Sequence, residues 1–354
     1  MDEVWREQDT TPAKIEAALR NMITRRGGDE DDESRAFVPA RVLNLVAIVD
    51  ADFRGEIENR LQRVGRFHPS RLILCAVEDG REKIDAWAGI GTDDAVHRPG
   101  HIAVAHERVE LTIGQQHVAK LDTIVDPLLV PDLATMVWAP HGHDDGVDAL
   151  RRLAQIILID SQDGADAADS LGRAADLADD SYVVDLSWLR STPWRERVAA
   201  IFDPPDMRAH LGGVSGVTVR HREDSLASAL LFCGWLSSRL GWKPSRLSSA
   251  RGVVSGHAST RRQEIRIRLQ PVDMNPPGLD GVTIDMASGA SVSLDRGPGG
   301  LRTVRRSRDG KEQSWTVLGA SRGEAGILGE GVRQALLRDP TYRPALGCAR
   351  VMVS

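Results

Sequence analysis

The chain has 354 residues, a formal net charge of −6 and 41% hydrophobic residues. That length predicts two domains and a sizeable core, and the acidic balance argues against a nucleic-acid-binding body. Cys75, Cys233 and Cys348 lie far apart with no CxxC or Cys/His spacing, so neither a disulfide framework nor a zinc site is signalled.

The N-terminus MDEVWREQDT is acidic and polar, unlike a signal peptide, and no apolar run approaches the roughly 20 residues of a membrane span. The expectation is a cytoplasmic protein with no membrane contact. TTPAKIEAALRNMITRRGG predicts a complete helix: Thr11 caps, Pro12 suits the first helical position, and Gly27 and Gly28 end it. The acidic GGDEDDES that follows predicts a surface loop.

RVLNLVAIV and SRLILCAV are apolar runs separated by the helical pattern Ile57, Leu61, Val64, which predicts a parallel strand pair buried on both faces. IDAWAGI, HIAVAH and RVELTI predict further strands, antiparallel where the links are short. Next come a helix broken at Pro127, a strand near Leu133 to Trp138, a helix over Val147 to Leu153, the strand QIILID and a helix over Asp166 to Leu177. SYVVDLSW, GVTVRH and the helix SLASALLFCGWLSSRLG carry this half to about Gly241.

Periodicity is then lost in a Ser-, Gly- and Arg-rich stretch, predicting a linker or surface loop over 242–262. Beyond it EIRIRLQPV, GVTIDMAS, ASVSLDR, LRTVRRS and QSWTVLG alternate apolar and polar residues, the pattern of antiparallel strands with one wet face. A closing helix from Arg322 to Leu337 is expected to cover the other face. The fold class is therefore an α/β N-terminal domain (1–241) with a mixed, largely parallel sheet. A smaller α+β C-terminal domain rich in antiparallel strands follows (263–354).

Two motifs invite chemistry. HGHDDG, His141 to Gly146, follows an apolar strand and is similar to the HxHxDH signature of metallo-β-lactamase-fold hydrolases, although position 146 is Gly where that signature has its last His. DLSWLRSTPWRERVAAIFD concentrates Trp and Arg; Thr192 is read as the cap and Pro193 as the first position of a helix on which Trp194, Val198, Ile201 and Phe202 form one apolar stripe. Trp194 is thus expected in the core. The glycines at 212–217 and 326–332 match neither GxGxxG nor GxxxxGK[ST], and no GxSxG, HExxH or SxxK appears. LRTVRRSRDGK is a basic cluster, read as the solvated face of a hairpin, with a patch for an acidic partner or phosphate as the sharper alternative.

In chain order, RVLNLVAIV, HPSRLILC, DPLLVPDLATMVW, ILIDS and DLSWLRSTPWRERVAAIFD resemble the OpcA family, known as the glucose-6-phosphate dehydrogenase assembly protein or subunit. Leu186, Trp188, Thr192, Pro193, Trp194 and Arg195 carry its most specific motif. The resemblance implies a non-catalytic partner, without cofactor, that binds glucose-6-phosphate dehydrogenase, promotes its oligomeric assembly and raises its activity in the oxidative pentose phosphate pathway. Under that reading Trp188, Arg190 and Arg195 are the expected exposed partner contacts, with the β-rich region as a second contact. Two alternatives stand beside it: a metal-dependent hydrolase using His141, His143 and Asp145, and a stand-alone sugar-phosphate-binding sensor using the arginines.

Overall fold

The computed structural model describes residues 3–27, 41–65, 70–92, 105–318 and 323–354. The acidic stretch GGDEDDES and the first part of HIAVAH lie outside the described residues, but for Gly27 and the last two residues of HIAVAH. The chain divides into two compact units: Met1–Ile159 with Asp180–Val184 and Leu328–Leu337, and Asp160–Asp179 with Asp185–Ile327 and Arg338–Ser354.

The first unit begins with strand β1 (Glu3–Glu7) and helix α1 (Pro12–Gly27), whose Ile15, Leu19 and Met22 are buried at the predicted spacing. β2 (Leu43–Asp50), α2 (Arg54–Gly65) and β3 (Ser70–Val77) form the expected parallel unit, with Leu43 opposite Ser70 through Asp50 opposite Val77. Seven successive β2 residues are buried, as a strand covered on both faces requires. β4 (Asp85–Thr92) and β5 (Ala105–Ile113) are antiparallel. The predicted breakage at Pro127 appears as two short helices, α3 (Gln115–Val118) and α4 (Leu121–Val125), before a turn of 3-10 helix. β6 (Thr135–Trp138), α5 (Asp144–Leu150), β7 (Ile156–Ile159) and β8 (Tyr182–Asp185) follow, while α6 (Ala167–Asp180), between β7 and β8 in the chain, groups up to Asp179 with the second unit. The sheet has the order β1-β4-β5-β3-β2-β6-β7-β8, mixed and largely parallel. Because β3 lies on one side of β2 and β6 on the other, the strand order reverses at β2. β1 was not foreseen: it is an edge strand whose alternation is masked by Glu3, Arg6 and Glu7.

The second unit holds α7 (Leu186–Arg190), α8 (Thr192–Phe202), α9 (Pro205–Arg208), β9 (Val214–Arg222) and α10 (Leu226–Leu240). β10 (Lys243–Pro244), β11 (Ser248–Ala250) and β12 (Val253–Ser259) occupy the stretch expected as a linker. Their Ser- and Gly-rich sequence hides them because strand pairing there rests on backbone bonds with little side-chain burial. β13 (Glu264–Val272), β14 (Leu279–Met286), β15 (Ser291–Gly297), β16 (Gly300–Arg306) and β17 (Glu312–Leu318) are the predicted alternating strands. The sheet runs β10-β12-β13-β9-β14-β15-β16-β17, with β11 paired to β12. Its neighbouring strands are antiparallel except β13 with β9. β9, read from sequence with the first half of the chain, is thus central to the second sheet, and its half-buried alternation matches its neighbours there.

α11 (Gly323–Leu337) was expected to close the second sheet, but its residues from Leu328 onward group with the first unit. The final helix, α12 (Tyr342–Val353), instead packs on α10: a Cβ on Gly234 would collide with the backbone carbonyl of Ala345, so glycine permits this close crossing.

Candidate functional site

The Trp-rich segment begins at the end of β8. Asp185 caps α7, its Oδ1 accepting from Ser187 N at 2.9 Å. The same carboxylate accepts from Ser161 N at 3.1 Å, Ser161 Oγ at 2.5 Å and the Tyr342 hydroxyl at 3.0 Å. Burial pushes its pKa up to about 6, helped by the charge of Asp160, while the bonds from Ser161 and Tyr342 pull it back. Asp160, directly after β7, is gripped at two points by Arg190, at 2.8 and 2.6 Å, and accepts from Ser187 Oγ at 2.6 Å.

Trp188 is 2% exposed; its Nε1 donates to Asp339 Oδ2 at 2.8 Å, and its ring meets Tyr342 edge-on at 5.6 Å. The Arg195 guanidinium lies 3.4 Å above the Trp188 ring and donates to Ser191 Oγ at 3.1 Å, Thr192 Oγ1 at 2.8 Å and the Trp188 carbonyl at 3.2 Å. Burial lowers its pKa to about 10, against the opposing charge of Asp339 at 3.6 Å. The three residues expected as exposed contacts, Trp188, Arg190 and Arg195, are therefore brought together, but inward. The physical reason is that their partners, Asp160 and Asp339, are remote in sequence, so no local pattern announces them. Trp194 is buried as expected, with Arg296 over its ring at 5.8 Å.

His141 and His143 follow β6, at the point where the strand order of the first sheet reverses. His143, in the left-handed region at φ 38, places Nε2 2.8 Å from Asp50 Oδ1 at the end of β2. His141 packs against Phe53 with ring centroids 4.5 Å apart, and burial lowers its proton affinity. Asp145 sits exposed in the first turn of α5. No group of three or more His, Cys, Asp or Glu able to hold a metal ion occurs among the described residues. Position 146 has a packing reason to be glycine: an added Cβ would approach Ile48 Cδ1 at 2.8 Å and Val118 and Leu121 at 3.1 Å. In sheets of this build, dinucleotides place their pyrophosphate at the turn after the strand at the reversal point. Here that turn carries Asp50 and Asp52, and two carboxylates repel such an anion.

A second polar surface is the face of the second sheet opposite its apolar side chains. Strand register places Ser255, Arg268, Thr218, Thr283, Ser293, Val304 and Ser314 in one transverse row. A parallel row contains Gln270, Arg220, Gly281, Asp295, Arg302 and Thr316. Arg220 pairs with Asp295 and donates to Thr283 Oγ1 at 3.2 Å, which staples the centre. Arg266, Arg268 and Arg302 are exposed and have no ion pair among the described residues. Small hydroxyl residues and these exposed arginines share the face with the carboxylates of Asp285 and Asp295. The alternation of these strands predicts a wet face but not which arginines align on it, because that depends on register.

Two α/β units, one largely parallel and one with an open mixed sheet, define the class of protein. Residues 61–176 match the glucose-6-phosphate dehydrogenase subunit N-terminal domain, and residues 181–346 match the C-terminal domain of the same subunit; the chain belongs to this OpcA family. It is 27% identical over 242 residues to the OxPP cycle protein OpcA of Synechococcus elongatus, a match covering 66% of this chain and 54% of that one. Its likeness to the OpcA of a Synechocystis species is 28% over 211 residues, covering 58% and 43%. The chain spans about half the length of these curated relatives. A solved oxidoreductase from Sinorhizobium meliloti has 11% identity and a TM-score of 0.47, covering 87% of this chain and 94% of that one, too distant a likeness to bear on function.

Proposed function

We propose that this chain is a non-catalytic partner of glucose-6-phosphate dehydrogenase that promotes its oligomeric assembly and allosteric activation in the oxidative pentose phosphate pathway. The observation that carries the reading is the match of both successive domains to those described as the dehydrogenase's subunit. The geometry supports a surface role. Asp185, whose pKa burial raises, is sealed by four donors, and the turn at the reversal point of the first sheet carries two carboxylates, Asp50 and Asp52.

The docking surface in this proposal is the polar face of the second sheet, with Arg266, Arg268 and Arg302 meeting carboxylates of the dehydrogenase. The buried trio Trp188, Arg190 and Arg195 then acts by holding the helices of this unit in place. Activation follows if the face binds the active oligomer more tightly than the free subunits, shifting that equilibrium by the difference in affinity. The cytoplasm, where the dehydrogenase works, is the compartment the proposal assigns.

The test mixes the chain with the dehydrogenase of the same organism and follows size-exclusion elution and NADPH production. Co-elution and a raised rate are expected, with both lost in the double variant Arg266→Glu, Arg268→Glu. No co-elution and no rate change for the parent chain overturns the proposal. Calorimetric binding of glucose 6-phosphate by the isolated chain, without effect on the dehydrogenase, would establish the sensor reading in its place.

A further inference from the structure

Sheet edges present unpaired backbone donors and acceptors, and natural proteins blunt them with short strands, charge or proline. Among the described residues the edges other than β17 are short or charged. β10 is a two-residue Lys-Pro strand, β1 carries Glu3, Arg6 and Glu7, and β8 has four residues ending in Asp185. β17 is different. It is seven residues long, pairs without a register shift to β16 alone, and is exposed at six of its seven positions. Its single charge, Glu312, is taken by Arg306. Gln313 to Leu318 holds no charge, no proline and no glycine, and it exposes Trp315 at 41% and Leu318 at 80%. Such a strand is a template for another strand.

We propose that two copies of this chain join edge to edge through β17, antiparallel and about a two-fold axis. The choice of a second copy rests on self-complementarity. Trp315 is the midpoint of β17, so full overlap sets Trp315 against Trp315, Ser314 against Thr316, Gln313 against Val317 and Glu312 against Leu318. No like charges meet anywhere in that overlap, although each chain carries a net −6 that opposes association elsewhere. A charged foreign strand would find no complement along Gln313 to Leu318. The joined sheet is continuous, with both polar faces on the same side. This pairing stands independently of the dehydrogenase role; if both hold, one pair offers two docking faces at once, and bivalency favours assembly.

Light scattering and sedimentation on the full chain, from low to high micromolar concentration, test the pairing. Twice the chain mass is expected for the parent. Trp315→Lys, which opposes two ammonium groups at the axis, should return the single-chain mass with an unchanged melting curve. Leu318→Lys, which faces the partner's edge near Glu312, should keep the double mass. A parent that stays at single-chain mass throughout overturns the proposal, as does a folded Trp315→Lys variant that remains paired.

Discussion

Two aspartates stand at the ends of strands in this chain, and their surroundings are opposite. Asp185 ends β8, is 1% exposed and is held by two backbone amides and two hydroxyls. Asp50 ends β2, leaves 45% of its side chain exposed and is held by one imidazole nitrogen of His143. A strand end is therefore not a site in itself. Where every acceptor is occupied, the carboxylate fixes backbone and organises helices; where one contact is made, little is fixed and the group stays available to solvent.

The sharpest way to break this contrast lies beside Asp185. Arg190→Ala leaves the Asp160 carboxylate buried without its cation, since the two side chains are only 9% and 6% exposed. Removing one member of a buried pair costs roughly 3–5 kcal/mol. Chemical denaturation should show a loss of that size, with hydrogen exchange accelerating first in α7 and α12. An Arg190→Ala protein as stable as the parent would mean that the cluster is open to solvent and that Arg190 is free to serve as a surface contact.

The sequence made much of the fold legible and little of this cluster. Parallel strands β2 and β3 show as unbroken apolar runs, and β13 to β16 as alternation, because burial on two faces or on one writes itself directly into residue order. The Thr192–Pro193 helix start and the core position of Trp194 were legible for the same local reason. The inward turn of Trp188, Arg190 and Arg195 was not. Their partners lie up to 151 residues away, and an arginine beside a tryptophan reads identically whether its carboxylate is in a distant loop or in another protein. β10 to β12 were missed because short strands with exposed serines bury too little to leave a pattern.

A smaller and more specific effect comes from protons. Burial, with the nearby charge of Asp160, raises Asp185 to about 6 in the folded chain, against about 3.9 for an unfolded aspartate. Between those values the folded state holds the extra proton, so stability is greatest at the acid end, falls as pH rises through the window, and levels off above about 6. The change is on the order of 2–3 kcal/mol at about 1.4 kcal/mol for each unit. Asp185→Asn keeps an acceptor for the two backbone amides, and the Ser161 and Tyr342 hydroxyls can rotate to accept from the new amide. Subtracting its stability–pH curve from the parent's should remove that slope. Parallel curves for the two proteins would show that Asp185 does not titrate there.

The least effect is expected at Asp50. Asp50→Ala removes one hydrogen bond at 2.8 Å from a side chain that water already reaches, so the His143 nitrogen can exchange its partner for solvent. A net cost below about 1 kcal/mol follows, since a single bond contributes little when water replaces it. His143 itself is more constrained than its partner, because φ 38 is a left-handed backbone that few side chains tolerate. His143→Asn, which suits that backbone, should be nearly neutral, while His143→Val should cost more than Asp50→Ala although both remove the same bond. That ordering, read from denaturation midpoints, separates backbone demand from bonding. If Asp50→Ala instead cost as much as Arg190→Ala, the end of β2 would be a second locked node and the contrast between the two aspartates would disappear.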